Sequence, residues 1–155
     1  MRILKDWQVQ TIFDQGVTLL VEHQHLFTIF VLDDRMMRVV IQKNGQFELD
    51  RTWSIAPHND VPLEGRDRLS LEGFDCPRYR LEHDEDSLTL STQKLKVVVT
   101  QPLMLTWYYR ESEASEWIEI AQDRQTNAYQ LGRQEHTEIA HFQKRYGDEK
   151  YYGLG

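Results

Sequence analysis

Apolar and polar positions alternate along much of this chain, and turn-forming residues cut the alternation at short intervals. Leu95, Val97 and Val99 take every second place in one run, and Leu103, Leu105, Trp107 and Tyr109 do so in the next. A period of two sends successive side chains to opposite faces of a strand. Pro102 ends the first of these runs, because proline has no N–H to give a sheet ladder. Residues 17–21, 26–32 and 36–41 are rich in branched and aromatic side chains. Asp14-Gln15-Gly16 precedes the first, Asp33-Asp34 divides the second from the third, and Asn44-Gly45 closes the third. Runs and breaks of this kind predict hairpins. Tyr79, Leu81 and His83 share one predicted strand face, and Leu88 and Leu90 share another after a turn at 84–87. Residues 117–120, 129–131 and 137–141 read as further short strands, and no window holds a helical period over three turns. About ten short strands, with turns every ~8–12 residues, predict an all-β fold. It is expected to be an antiparallel β-sandwich, with residues 1–155 as a single domain.

Residues 50–75 interrupt the pattern, since Pro57, Pro62, Gly65 and Gly73 break any period there. The stretch reads as a long irregular connection, with Trp53 and Ile55 expected to anchor in the core.

Charge then narrows the partners. Twenty-five acidic residues against eighteen basic ones give a net charge of −7, a field that repels phosphate backbones. Nucleic acid is therefore excluded as a partner. No apolar run approaches the ~18 residues of a membrane span, and no basic amphipathic segment offers a membrane contact. The first seven residues hold no signal-peptide core, and Cys76 is the only cysteine, so no intrachain disulfide can form. The expected setting is cytoplasmic.

Candidate chemistry is sparse. His23 and His25 are two apart, which would put both on one strand face, while His136 and His141 are not so spaced. No cysteine or third ligand stands at a zinc-like spacing, and surface or turn positions account for these histidines. Glu82, Asp84, Glu85 and Asp86 lack the alternating ligands, bend glycine and later bidentate glutamate of a calcium loop, and read as a solvated hairpin tip. A retaining glycosidase needs two carboxylates ~5 Å apart, and nothing singles out a pair among the acids. No nucleophile elbow or phosphate-binding glycine loop occurs. Trp107, Tyr108, Tyr109 and Trp117 could stack on sugars, but alternation divides the first three between two faces, and burial in the core is the preferred reading. No catalytic, cofactor-binding or metal residue is assigned, and no cofactor is expected.

Several segments, taken in order, resemble the N-terminal domain of glycoside hydrolase family 31. They are the Leu32-Asp33-Asp34-Arg35-Met36-Met37-Arg38-Val39 hairpin, Arg51-Thr52-Trp53-Ser54-Ile55, the strand pair 88–97 before Pro102-Leu103, and Asp123-Arg124-Gln125-Thr126-Asn127-Ala128-Tyr129. The most specific is Tyr152-Gly153-Leu154-Gly155. The resemblance implies a galactose mutarotase-like sandwich that packs against a (β/α)8 barrel holding an aspartate nucleophile and an aspartate acid/base. The nucleophile motif of that barrel is absent here, and a barrel alone takes about 250 residues. The implied function is that of a non-catalytic domain of an α-glucosidase-type enzyme cut off before its barrel, with an α-glycoside as the substrate of the intact protein. The runner-up is a stand-alone carbohydrate-binding module. A mutarotase-like epimerase would resemble a sandwich of about twice this length. Tyr146, Tyr151, Tyr152 and Leu154 crowd the last ten residues, and the side they occupy is expected to support self-association.

Overall fold

The computed structural model describes residues 1–54, 57, 61–132 and 138–150, and in it the hairpins become two antiparallel meanders. Strands β2 (Trp7–Phe13), β3 (Gly16–Val21), β4 (His25–Asp33) and β5 (Met36–Gln42) form a four-stranded sheet in sequence order. After the two-residue pair β6 (Arg51–Thr52) and β7 (Arg66–Asp67), a five-stranded sheet follows. It is built from β8 (Arg80–His83), β9 (Ser87–Ser91), β10 (Leu95–Thr100), β11 (Met104–Tyr109) and β12 (Ile118–Gln122). The N-terminal strand β1 (Arg2–Leu4) pairs with β13 (Tyr129–Leu131), which pairs with β14 (Ile139–His141). No helix occurs among the described residues, so none there is long and apolar enough to cross a membrane.

The alternation read from the sequence has its physical origin in the core. Val17, Leu19 and Val21 of β3, Leu88 and Leu90 of β9, and Val97 and Val99 of β10 all point into one cluster of buried side chains. Leu4 and Leu131 bring the three-stranded sheet to the same cluster, so the meanders and this sheet share one core. Two faces packed in this way explain the strict period on β9 and β10. On β11 the rule holds for Leu105, and Trp107 packs against the core as expected.

β4 departs from alternation because both of its faces are covered. Phe27, Ile29 and Val31 face the shared core, yet Thr28, Phe30 and Leu32 are buried too. The connection from 66 to 76 lies over that outer side: Arg38 reaches the Ser70 carbonyl at 3.3 Å, and the Cys76 N–H donates to the Leu32 carbonyl at 3.1 Å. At one point the backbones themselves are in contact. A Cβ added at Gly16 would lie 2.0 Å from the Ile29 carbonyl oxygen, which only glycine avoids. The Asn44-Gly45 turn is confirmed in detail. Both residues have positive φ, 55° and 75°, as a two-residue type I′ hairpin turn requires.

Two expectations need correction. Trp53 does not anchor in the core; it is half exposed, lies against Gly65 and donates from Nε1 to the Leu63 carbonyl at 3.0 Å. Its neighbour Thr52 is the buried residue, because the ladder with Arg66 turns that side chain inward. Ile55 lies outside the described residues. His83 is exposed and takes no part in the core face, whereas Tyr79, just before β8, packs against the core. The Tyr79 hydroxyl lies 2.5 and 2.8 Å from the carbonyls of Phe13 and Gly16, fastening the five-stranded sheet to the β2–β3 turn. Strands β1 and β2 were not foreseen.

Candidate functional site

The carboxylates with defined partners hold the fold together. Asp123, just past β12, is fully buried. Its Oδ2 accepts the Leu105 N–H at 2.9 Å, and its Oδ1 lies 2.7 Å from Nε2 of His141 on β14. The His141 ring stacks on the Tyr129 phenol at 4.5 Å and 9°. Burial pushes the Tyr129 hydroxyl far up, with the charge of Asp123 and a hydrogen bond to it adding in the same direction. The result is a clasp that ties β11, β13 and β14 together. Sequence reasoning missed it, since Asp123 and His141 are eighteen residues apart. The one signal was the place of Asp123 at the head of the Asp-Arg-x-Thr-x-Ala-Tyr pattern.

Two other acids serve similar ends. Glu22 accepts the N–H groups of Lys5 and Asp6 at 2.8 and 3.1 Å and bonds Arg2, closing the turn between β1 and β2. Asp84 caps its own hairpin tip by accepting the N–H groups of Asp86 and Ser87, and those bonds hold its carboxyl below the usual range. The tip is as the sequence suggested. Among the described residues no group of three His, Cys, Asp or Glu side chains is placed to hold a metal ion.

The histidines sort differently from the sequence reading. His23 is exposed in a turn with φ 60°, so it shares no strand face with His25. His25 opens β4 and is buried. Its Nδ1 accepts the Asn44 N–H at 3.0 Å, which puts the proton of the neutral ring on Nε2. The Gln24 side-chain amide lies beside the ring, its nitrogen 3.1 Å from Nε2. Burial, followed by the charge of Arg2, holds His25 below its ordinary value. A second proton would also set Nδ1–H against the Asn44 N–H. The sign follows from linkage. The unfolded state takes up the proton first, so this contribution is present above about pH 6.5 and is lost as pH falls through the lower folded value. Urea midpoints measured from pH 7.5 to 5 should therefore drop in the wild type, and His25→Gln should flatten the drop. An unchanged slope in that variant would remove His25 as the cause. His136 lies outside the described residues.

The outer face of the five-stranded sheet carries the rings suited to sugar stacking. Tyr108 is there, but Lys96 sits 4.4 Å from its ring centre. Lys96 and Arg110 lie 4.8 and 4.3 Å from the Trp117 ring. Cations thus already occupy stacking positions over both rings. Exposed apolar side chains stand instead on two edge strands, β12 and β14, which do not lie side by side. Ile118 is 64% exposed and Ile139 51%, with Ile120 and Phe142 beside them in sequence. The segments that follow the two strands are joined by the antiparallel Asp123–Gln143 bridge, from which β12 and β14 run in opposite directions. Tyr146 is held beside β12 by its hydroxyl, which donates to Glu119 at 2.5 Å and is pushed up to about 12 by that bond. Tyr151, Tyr152 and Leu154 lie outside the described residues.

A family model described as the glycosyl hydrolase 31 N-terminal galactose mutarotase-like domain matches residues 26–155 of the chain. No curated protein matches it, and no solved structure does.

Proposed function

The chain belongs to the glycosyl hydrolase 31 N-terminal galactose mutarotase-like domain family, and from that membership we propose that it is the non-catalytic N-terminal domain of an α-glucosidase-type retaining hydrolase. The observation that carries the proposal is the family match across 26–155. The intact protein would hydrolyse O-glycosyl bonds in α-glucosides on a (β/α)8 barrel, a unit of about 250 residues, and this domain would pack against that barrel. Two features of the chain support the reading. Asp123, Glu22 and Asp84 are committed to backbone N–H groups, a duty that does not suit a nucleophile or a proton donor. The exposed Ile118 and Ile120 of β12 supply apolar surface of the kind that a permanent contact covers. A cytoplasmic setting fits the lone Cys76. The carbohydrate-binding alternative has less support, since cations sit over the Tyr108 and Trp117 rings.

The test is an assay of the isolated chain on nitrophenyl α-glucoside, α-xyloside and α-galactoside. No turnover above background is expected, because retaining hydrolysis needs a positioned nucleophile and a separate acid. Turnover that disappears when one of this chain's own carboxylates is replaced would overturn the proposal.

A further inference from the structure

β5 is the last strand of the four-stranded sheet, and its outer edge has no strand paired to it among the described residues. Past the Asn44-Gly45 turn the chain comes back alongside β5, but only the Lys43–Gln46 bridge forms. Residues 47–49 then splay away instead of making a fifth strand. The gap is a groove of about 420 Å³ with Val40, Phe47 and Leu49 on its walls and Thr52, Arg38 and Arg68 among its lining. Arg38 is 7% exposed and lies flat on the Phe30 ring at 4.7 Å. Its Nη1 donates to the Ser70 carbonyl, while Nε and Nη2 are buried with no hydrogen-bond partner. Those two nitrogens form the side-by-side edge of a guanidinium, the edge that takes a carboxylate through two parallel bonds. Burial and the charge of nearby Arg66 both weigh against the Arg38 cation, so an added negative charge would be stabilising.

We propose that this groove binds an extended peptide segment, which adds to the free edge of β5 and lays an acidic side chain over Arg38 and Arg68. The sign of the charge argues for that occupant: in a chain of net −7, Arg38, Lys43 and Arg68 line this groove against one acid, Glu48. Size agrees as well, since 420 Å³ holds about three residues, and three residues of strand run about 10 Å, the length of 39–41. The uncommitted backbone groups along an edge strand supply the main-chain bonds. Because Nε and Nη2 are covered in the free chain, binding requires a local shift of the side chains above them.

The probe is a fluorescein-labelled seven-residue peptide of alternating valine and glutamate, titrated against the 155-residue chain by anisotropy. It should bind about tenfold more tightly than the same peptide with glutamine in place of glutamate. Arg68→Gln should weaken binding, and Arg38→Met should weaken it further. Since Arg38→Met could unfold the sheet, amide shifts in the wild type provide a separate readout, expected at 39–41 and 47–49. Equal binding of the glutamine peptide, or shifts elsewhere, would overturn the proposal. Displacement of the peptide by acetate alone would give the groove to free carboxylates and overturn strand addition.

Discussion

Asp123→Ala should destabilise the chain by about 3 kcal/mol, lowering the thermal midpoint by roughly 6–12 °C for a domain of this size. Two losses add up. The Leu105 N–H, buried on β11, loses its acceptor, at a cost of about 1–3 kcal/mol. His141 loses the partner 2.7 Å away that holds it on Tyr129, and with it goes the fastening of the three-residue strand β14. The His141 side of the pair is 39% exposed, so solvent screens it and its share is the smaller. Asp123→Asn keeps an acceptor for Leu105 and should cost about half as much. Urea denaturation of the three proteins measures both effects, and hydrogen exchange at the Leu105 amide locates the first. A cost under about 1 kcal/mol for the alanine variant, with that amide still protected, would mean the clasp carries little of the stability.

The clasp also shows where sequence reading stops. Strands β9 and β10 were legible because one face of each is buried and the other is not, so period two appears directly in the residue order. β2 was not legible. A register shift between Val9 and Thr11 breaks the period inside it, leaving Trp7 buried but Ile12 half exposed. β1 has only three residues and depends on β13, more than a hundred positions away. Trp53 stays half exposed where a core anchor was expected, and Thr52 is buried instead, because a two-residue ladder, invisible to any periodicity, decides which side chain turns inward. The same limit applies to Asp123, His25 and Arg38. Each gains its meaning from a partner on another element, and a list of acids, histidines and arginines carries no such pairing. The family resemblance, by contrast, rests on ordered motifs and survived intact.

Phe27→Ala should be the most damaging single truncation in the core, costing about 3–5 kcal/mol. Phe27 is completely buried on β4, with Leu19 and Ile41 as its cross-strand neighbours. Its ring meets Tyr129 edge to face, 5.3 Å between centres and 89° between planes. That contact joins the four-stranded sheet to β13, whose Tyr129 also stacks on His141 of β14. Removing the ring leaves a cavity between two sheets, and strands tied into ladders on both sides have little freedom to collapse into it. Phe27→Leu refills most of the volume and should cost under about 2 kcal/mol. Since domains of this kind are stable by only about 5–15 kcal/mol, the alanine variant would lose a large part of the total. Combining it with Asp123→Ala tests the link. Both substitutions loosen Tyr129, so the double variant should lose less than the sum of the two, by about 0.5 kcal/mol or more. Strict additivity in urea denaturation would show that Tyr129 does not couple the core to the clasp, and that the three-stranded sheet is held by its own ladder bonds.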